Sequence, residues 1–558
     1  FQSVNGAINF NNIVDIDASK AIANLVINSN GTFTAFGGIG TNRAITSLTT
    51  DTGGSSSLQS VTVQSGGTGI LLQDATVALN GIYLTSGAHF AGGDAGVDGN
   101  VSNALLANST TINAGAGTIF FEGTVDSSNS TARALTARAA GLTTFQGSIG
   151  FNNALSTLLI DAGGNTTFGL AAGADIVVIT NAANVGGNEE LRILDSVTLA
   201  RGVTFNAGNN ADSDIRFGST INADAAANNR NLTIIAGGSA TVVGAIGGGQ
   251  AIGAFSSQVG GIGTYADITT RSSMEFLANA GVGSLVLNGN YTNTVSANAI
   301  NVDRPVRLAG SSTFSNVANG QISFNRTIEG TTAGVESLTV NTTGATVFSG
   351  SIGAATPPAS PTTDPGGTVT NNLGATRFGD GVNVTTTGNQ TFNDRVIIGV
   401  ATASVVSSTF TTNAGSFVQF LANDSANSLG VGGNNGVALQ GGGVDGSNNG
   451  VKSLIIVGGA FQIGGGRLQR QRPHQPELPA RQPHPQRWPP PHQPHHPRPR
   501  CRQPHRRHRH RRRRPVGSHR QHLRQHLLER PARHLRRPRL HHRRRRHDLH
   551  QYPALRDR

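Results

Sequence analysis

Three aspartates stand at one position of an internal repeat and are the first candidates for chemistry. Asp51, Asp161 and Asp364 each precede x-Gly-Gly, and carboxylate oxygens are ligands that Ca²⁺ prefers. The remaining copy of the repeat has Gln258 at this position. An Asp before a Gly pair is also typical of a side chain that caps a turn. We therefore predict turn-capping roles for these residues and no metal site.

Two Gly-rich stretches are similar to calcium-binding nonapeptide repeats. Residues 92–99 read GGDAGVDG and residues 441–446 read GGGVDG. Neither keeps the full GGxGxDxUx spacing, and neither recurs in tandem. We interpret both as Gly-rich turns.

His89 is the only histidine among residues 1–466, so a Ser-His-Asp arrangement in this part of the chain would have to use it. We interpret it as a surface or corner residue. The sequons at residues 108–110 and 129–131 allow glycosylation.

Acid/base chemistry would need paired carboxylates, which the chain offers at two places. Asp15 and Asp17 alternate along a probable strand and could converge on one face, as in a β-helical polysaccharide-cleaving enzyme. Glu189 and Glu190 are adjacent. No basic or aromatic sugar platform lies near Asp15 and Asp17 in the sequence. We predict no catalytic residue, no cofactor and no bound metal.

The repeat behind the three aspartates spans about a hundred residues. Its frame reads Leu, five residues, Gly, five residues, Gly-x-Ile-Gly, ten residues, Asp or Gln, one residue, Gly-Gly, and it occurs four times without an internal gap. The copies are anchored at Ile39, Ile149, Ile246 and Ile352, which are 110, 97 and 106 residues apart. Such regularity indicates a repetitive architecture.

Composition divides the chain into a body, residues 1–466, and a tail, residues 467–558. The body has 15 Lys+Arg against 26 Asp+Glu, a net charge of −11, with 73 Gly and no Cys or Trp. Its scarcity of Lys, Arg and Glu argues against a helical bundle or a doubly wound α/β enzyme. The absence of Cys excludes a disulfide framework and Cys-based zinc or nucleophile sites there. Since the chain begins at Phe1 without a signal-like leader and has no apolar run near 18 residues, we expect an interior fragment.

The tail carries a net charge of +24. Its amino-acid composition is explained by the genetic code and not by a shared chemical property. Arg, His, Pro, Gln and Leu, the amino acids whose codons begin with C, make up 79 of its 92 residues. Reading one base early in a gene whose codons often end in C produces this set. In the unshifted frame, the codons read here as Arg, His and Gln would encode mainly Gly, Ala, Thr, Asn and Ser, the residues that predominate in the body. We interpret residues 467–558 as out-of-frame, low-complexity and disordered.

The alternative is a genuine basic arm. Its Arg runs at 511–514 and 543–546 would then bind phosphate or acidic surfaces, and His505, His508 and His510 could hold a metal. This interpretation explains neither the absence of Lys from the tail nor the restriction to C-initial codons.

Short runs rich in β-branched residues and Phe alternate with Gly, Asn, Asp and Ser, which is typical of short strands joined by tight corners. Examples of predicted strands are residues 191–194, 197–199, 203–205, 214–217 and 232–235. The pattern favours an all-β fold, a right-handed parallel β-helix whose core holds small and aliphatic residues and stacked Phe. At about 22 residues per coil the body would form about 20 coils, on the order of 100 Å long.

A string of β-sandwich domains, one per repeat, is the alternative fold. Sandwich cores usually contain Trp or Tyr and are separated by linkers. The body has no Trp, three Tyr and no regular linker, so the β-helix is favoured.

The repeat also resembles a known family. FxGxIG followed by LxxLxxDxGG at residues 145–164, and GVNVTTTGNQTFNDRVIIG at residues 381–399, look like the β-strand repeats of filamentous-haemagglutinin-like and autotransporter-passenger adhesins. The resemblance covers most of residues 20–466 and implies secretion across a Gram-negative envelope and a β-helical stalk at the cell surface. It implies host or neighbouring-cell glycans or proteins as partners. It also implies an outer-membrane secretion partner or fused β-barrel, which this chain does not contain.

From these observations we expect an extracellular structural and adhesive stalk of a bacterial surface or secreted protein, without catalysis. Two alternatives remain: a β-helical carbohydrate-active enzyme and, if the tail is genuine, a polyanion-binding protein. Without a genuine tail we expect no nucleic-acid partner.

Overall fold

The structure is a computed structural model of the chain. It describes residues 1–463 except 5, 94–100, 171, 182–189, 280, 282, 365–373, 400–405, 421–436, 440–451 and 458–459. The predicted tail, residues 467–558, lies outside the described residues. So do residues 441–446 and all but the first two residues of the stretch 92–99.

The described chain is a stack of coils, and each coil crosses three faces in the same order. Strands of successive coils pair in parallel on each face. Face 1 carries sheets of ten and eight strands, face 2 sheets of six and eleven, and face 3 sheets of twelve and three. The strands are held by hydrogen bonds between coils, not within them.

The ten strands of the first sheet on face 1 are Gln2–Ser3, Asn24–Ser29, Ser47–Thr50, Gly69–Leu72, His89–Gly92, Ile119–Phe121, Leu142–Phe145, Asn165–Phe168, Ser196–Leu199 and Ile221–Ala223. The eight strands of the second sheet on face 1 are Ile268–Thr270, Asn290–Asn293, Ser312–Asn316, Ser337–Thr342, Ser360–Thr363, Gln390–Phe392, Phe417–Phe420 and Ala460–Ile463.

The six strands of the first sheet on face 2 are Ile8–Phe10, Thr32–Ala35, Ser55–Leu58, Thr76–Leu79, Asn103–Leu106 and Val125–Ser127. The eleven strands of its second sheet are Ile176–Ile179, Val203–Asn206, Leu232–Ala236, Phe255–Val259, Met274–Ala278, Ile300–Val302, Ile322–Phe324, Ala345–Phe348, Ala375–Phe378, Arg395–Ile398 and Val437–Leu439.

The twelve strands of the first sheet on face 3 are Val61–Thr62, Ile82–Leu84, Thr110–Gly115, Ala134–Ala139, Thr157–Ile160, Leu191–Ile193, Ile215–Phe217, Ala240–Val242, Gly263–Tyr265, Leu285–Leu287, Val306–Leu308 and Ile328–Gly330. The three strands of its second sheet are Val384–Thr385, Val406–Thr411 and Lys452–Val457. A single turn of 3-10 helix, Ala226–Asn228, is the one helix of the described residues. In that part of the chain no helix has the length and apolar character needed to cross a membrane.

The all-β parallel solenoid predicted from the sequence is confirmed. Parallel pairing runs across the repeat boundaries, for example between Leu142–Phe145 and Asn165–Phe168, whereas a sandwich is built from antiparallel strands. The strands predicted between residues 191 and 235 are all present, and each differs from the prediction by one residue at one end. The coils are longer and fewer than expected. Residues paired between strands of adjacent coils are from 19 apart, as in Phe255 and Met274, to 46 apart, as in Val406 and Lys452.

The core is a continuous column of aliphatic side chains and stacked rings. Alternate residues of each strand point inward, so that Leu142–Phe145 buries Thr143 and Phe145. The ring of Phe145 lies 5.4 Å from Phe121 and 5.7 Å from Phe168, stacked on both. Burying one such ring contributes about 1.5–3 kcal/mol. The predicted Phe stack is therefore present, and it extends over many coils.

The Gly-x-Ile-Gly segments replace a regular strand on one face of their coil. Each Ile is buried and forms a single bridge to the coil before and the coil after, as Ile149 does with Val125 and Val178. The glycine that follows has a left-handed backbone, with φ between +66° and +72°. A Cβ at this glycine would lie 2.1–2.3 Å from a backbone carbonyl oxygen of the next coil. Only glycine therefore fits at Gly40, Gly150, Gly247 and Gly353.

Consecutive copies of the repeat lie on different faces. Ile39 bridges strands of face 3, Ile149 of face 2, Ile246 of face 1 and Ile352 again of face 3. The last three separate the two sheets of their faces, which is why every face carries two. The repeat is therefore not a whole number of coils, and equivalent residues of successive copies occupy different sides of the solenoid.

Candidate functional site

The three repeated aspartates follow strands and reach back to the preceding coil. In each, the Oδ1 atom accepts a hydrogen bond from the backbone N–H that ends the strand one coil earlier. The pairs are Ser29 N to Asp51 (2.7 Å), Ala139 N to Asp161 (3.2 Å) and Thr342 N to Asp364 (2.6 Å). These residues are caps, as predicted, but the N–H group that each one caps belongs to another coil. They therefore fasten neighbouring coils at a corner.

Each of these aspartates interacts with a second aspartate from the following coil, which the sequence did not reveal. The pairs are Asp51 with Asp74, Asp161 with Asp195, and Asp364 with Asp394. A hydroxyl donates to the second aspartate in each pair: Ser56 to Asp74, Thr166 to Asp195 (3.0 Å) and Thr376 to Asp394 (3.1 Å). We call these three arrangements the carboxyl corners.

Burial sets the protonation of the second aspartate. Asp74 and Asp195 are each 1% exposed, and this burial raises the pKa of both carboxyls. The charge of Asp51 or Asp161 beside them raises the pKa further, while the hydroxyl hydrogen bonds lower it in part. The carboxyl corners thus concentrate acidic groups whose ionisation is disfavoured in the folded chain.

The corner of Asp364 and Asp394 is the most tightly coupled. Asp364 is 5% exposed, and its Oδ2 atom is buried without a hydrogen-bond donor. Thr376 Oγ1 lies 3.1 Å from Asp394 Oδ2 and 3.1 Å from Thr363 Oγ1. Burial raises the pKa of both carboxyls, and the pKa of Asp364 rises further because it faces Asp394. This corner therefore favours a state with at least one neutral carboxyl.

The copy with Gln258 holds a basic group beside its Gly pair. The Arg304 side chain is 1% exposed and donates to the backbone carbonyl oxygens of Val259, Gly261 and Gly283. Burial lowers the pKa of this guanidinium. The corner after the repeat is thus polar in every copy, with acidic groups in three and a basic group in one.

A second set of polar side chains fastens the loop that follows Ile-Gly. Each of these side chains lies in the coil before the Ile, immediately after the residue that forms the bridge to that Ile. Each accepts hydrogen bonds from two successive backbone N–H groups of the loop that follows the Ile-Gly pair. The four are Asp15 (Asn42 and Arg43), Asp126 (Asn152 and Asn153), Asn222 (Gly249 and Gln250) and Glu329 (Ala355 and Thr356).

The carboxylates considered for acid/base chemistry have structural partners. Asp15 takes part in the loop caps, and hydrogen bonds from Arg43 and Asn42 outweigh partial burial, so that its pKa is lowered. Asp17 accepts from both the hydroxyl and the backbone N–H of Ser19, which lowers its pKa. A general acid needs the opposite shift, which neither Asp15 nor Asp17 has; burial does raise the pKa of Glu190. Glu190 is 1% exposed and accepts from Asp214 N, whereas Glu189 lies outside the described residues.

The remaining candidates occupy surface positions. His89 is exposed at the start of a face-1 strand, and its Nδ1 atom lies 2.8 Å from Thr118 Oγ1. Its predicted surface position is confirmed. Asn108 and Asn129 are exposed and bond to the backbone N–H of Ser109 and Thr131 in their own turns.

Within the described part of the chain, no group of three or more His, Cys, Asp or Glu side chains could hold a metal ion. The carboxyl corners instead combine two carboxyls with hydroxyls and backbone N–H groups, a set that can share protons as well as fasten coils.

The second aspartates were missed because they lie 23, 34 and 30 residues after their partners, so no fixed spacing marks them. One local signal does exist. Asp74, Asp195 and Asp394 each stand one or two residues before a strand that begins with Thr-Val, Ser-Val or Arg-Val. Comparison of the chain with family models, with curated proteins and with solved structures finds no match.

Proposed function

We propose that residues 1–466 form a structural and adhesive stalk of a bacterial surface or secreted protein, and that they carry out no catalysis. The observation that supports this is the unbroken stack of coils, in which three faces repeat in order from Gln2–Ser3 to Ala460–Ile463. Each coil contacts its neighbours along the stack, as in other solenoid proteins. Such an array provides length and stiffness.

Adhesion would use the outward positions of the strands. These positions stack in register from coil to coil, and on face 1 they place Thr144, Thr167 and Thr198 one above another. Neighbouring coils are about 4.8 Å apart. A polar surface repeated at this spacing offers many weak contacts, which add by avidity when a partner carries repeated groups.

The place of action and the partners follow from the family resemblance and belong to the same proposal. The stalk would be displayed outside the cell and bind glycans or proteins of host or neighbouring cells. It would need an outer-membrane secretion partner or a fused β-barrel. The absence of Cys from the body suits export, because a chain that crosses a membrane unfolded cannot then be trapped by premature disulfides.

The full chain, coupled to beads, tests adhesion. We expect the beads to bind epithelial or bacterial cells, or glycans on an array, and to remain bound when heparin is added in excess. Heparin is the control for the tail, because a polyanion competes for Arg-rich segments. Binding that disappears with heparin would assign adhesion to the tail and contradict the proposal for the body.

The absence of catalysis is tested separately. The full chain is incubated with a panel of polysaccharides, and reducing ends are measured over time. We expect no release above a heat-denatured control. Release that is lost in the variant Asp15→Asn or Asp17→Asn would instead establish the carbohydrate-active alternative, in which this pair provides the carboxylates.

A further inference from the structure

We propose that Asp364 is a carboxylic acid at neutral pH, that its Oδ2–H donates to Asp394, and that this shared proton holds two consecutive coils together as a pH-sensitive latch. Loss of the proton leaves two facing carboxylates, whose repulsion separates the coils at this corner.

The first observation is an unsatisfied oxygen. Asp364 Oδ1 accepts from Thr342 N at 2.6 Å, whereas Asp364 Oδ2 is buried and has no donor. A buried carboxylate oxygen without a donor is costly. A proton on Oδ2 removes the charge and turns this oxygen into a donor. Since Asp394 is the neighbouring acceptor, the missing hydrogen bond is then formed.

The second observation is a chain of two hydroxyls that leads to Asp394. Thr376 Oγ1 lies 3.1 Å from both Thr363 Oγ1 and Asp394 Oδ2, and a hydroxyl has a single proton to donate. Both contacts are satisfied when Thr363 donates to Thr376 and Thr376 donates to Asp394. Asp394 is thereby the acceptor of the network. One added proton, on Asp364, supplies the hydrogen bond between the two carboxyls.

Few other charged groups surround the latch. The strands Ser337–Thr342, Ala345–Phe348, Ser360–Thr363 and Gln390–Phe392, which pack around it, carry no titratable side chain. Arg377 on Ala375–Phe378 is exposed and alternates with the inward Thr376. The remaining charged residue is Arg395, which begins the next strand and whose side chain is not among those described. It is therefore included in the test below.

The other two carboxyl corners provide an internal comparison. Asp51 and Asp161 hold the position of Asp364, yet both are partly exposed, while Asp364 is buried. Among the described residues Asp364 Oδ2 is the one carboxyl oxygen that is buried without a partner. Asp161→Asn is thus a matched control, because it changes the same cap at a corner whose first aspartate is partly exposed and has no buried carboxyl oxygen without a partner.

The sign of the pH dependence follows from proton linkage. The folded chain binds this proton more tightly than the unfolded chain, so the latch is fully stabilising below the ordinary Asp pKa of about 3.9. Its contribution falls as pH rises toward the raised pKa of Asp364. Each unit by which that pKa exceeds its ordinary value appears as up to a tenfold change in the local opening equilibrium.

The experiment titrates the full chain labelled with ¹³Cγ-aspartate from about pH 3 to about pH 10, a range that spans ordinary and strongly raised Asp pKa values. The resonance of Asp364 is assigned by its absence in Asp364→Asn. We expect it to titrate above neutral pH. In parallel, amide exchange of peptides covering residues 337–363, corrected for intrinsic rates, should accelerate at least tenfold between about pH 6 and about pH 9.

The variants decide between explanations. Asp364→Asn keeps an acceptor for Thr342 N and supplies an N–H donor to Asp394, so its local exchange should lose the pH-dependent acceleration. Asp161→Asn should keep it. Titration of Asp364 near pH 4 would overturn the proposal. So would loss of the acceleration in Arg395→Gln, because Arg395 would then be the partner. Saturable Ca²⁺ binding that is abolished by Asp364→Asn would also overturn it and make the corner a cation site.

Discussion

The glycine that follows each buried Ile is the most demanding position of the repeat, and Gly150→Ala tests it. Gly150 has φ +66°, and a Cβ there would lie 2.2 Å from the carbonyl oxygen of Ile179 in the next coil. Its own N–H donates to Val125 O in the preceding coil at 2.7 Å. The substitution therefore strains the backbone and disturbs contacts with both neighbouring coils.

The expected cost is the sum of three effects. A left-handed backbone costs a non-glycine residue about 1–2 kcal/mol, which the lower entropy of the unfolded alanine chain reduces to about 1 kcal/mol. Displacing the coil to relieve the contact with Ile179 O costs about 1–3 kcal/mol more. Weakening the hydrogen bond to Val125 O adds about 1 kcal/mol. We expect Gly150→Ala to lower the free energy of unfolding by about 3–5 kcal/mol.

Gly381→Ala is the matched control. Gly381 has φ +70°, and a Cβ there would meet nothing within 4 Å. It should carry the backbone strain alone, about 1 kcal/mol. Because a long stack can unfold in parts, the assay is urea unfolding combined with amide exchange of peptides covering residues 125–179 for Gly150 and 352–398 for Gly381.

The difference of about 2–4 kcal/mol corresponds to a roughly 30- to 700-fold larger loss of local protection at Gly150. Equal losses at the two glycines would refute the role assigned to the close approach of the next coil. They would leave the left-handed backbone as the only reason for glycine.

Three further predictions concern the core, the loop caps and the tail. Phe145→Ala should cost about 3–5 kcal/mol in urea unfolding because it removes the ring between Phe121 and Phe168, and a loss below 1 kcal/mol would contradict the continuous stack. Asp126→Ala should cost about 1–2 kcal/mol by freeing two backbone N–H groups. Asp126→Asn should cost much less, since Asn222 performs the same task in another copy; equal costs would contradict this role. The nucleotide sequence after Gly464, read in the other two frames, should contain further Ile-Gly and Asp-x-Gly-Gly units, and their absence from both would support a genuine basic arm.

The sequence predicted the fold because the determinants of a coil are local. The β-branched runs, the Gly and Asn corners and the inward Phe residues each act within a few positions, and the strands between residues 191 and 235 were found from them. The Ile-Gly anchor was also visible, because its left-handed glycine recurs in all four copies.

The carboxyl corners and loop caps were not predicted because they join different coils. A partner one coil away stands 19 to 46 residues along the chain, so Asp161 gives no indication that Asp195 lies beside it. The expected number of about 20 coils was too high because it assumed a fixed length of about 22 residues per coil, whereas the length varies from coil to coil. Asp15 was singled out for possible chemistry, yet its role as the cap of Asn42 and Arg43 required the three-dimensional pairing of Val14 with Ile39.

Successive copies of the repeat lie on faces 3, 2, 1 and 3, so the copies are arranged helically around the solenoid. Twelve strands of face 3 lie between Ile39 and Ile352, so the motif returns to the same side after thirteen steps of about 4.8 Å, or roughly 60 Å. A flat receptor lattice can engage one copy in three and must match that long spacing. If the repeat contacts a partner in the proposed stalk, a small ligand would reach some copy from any direction, whereas a planar partner would not.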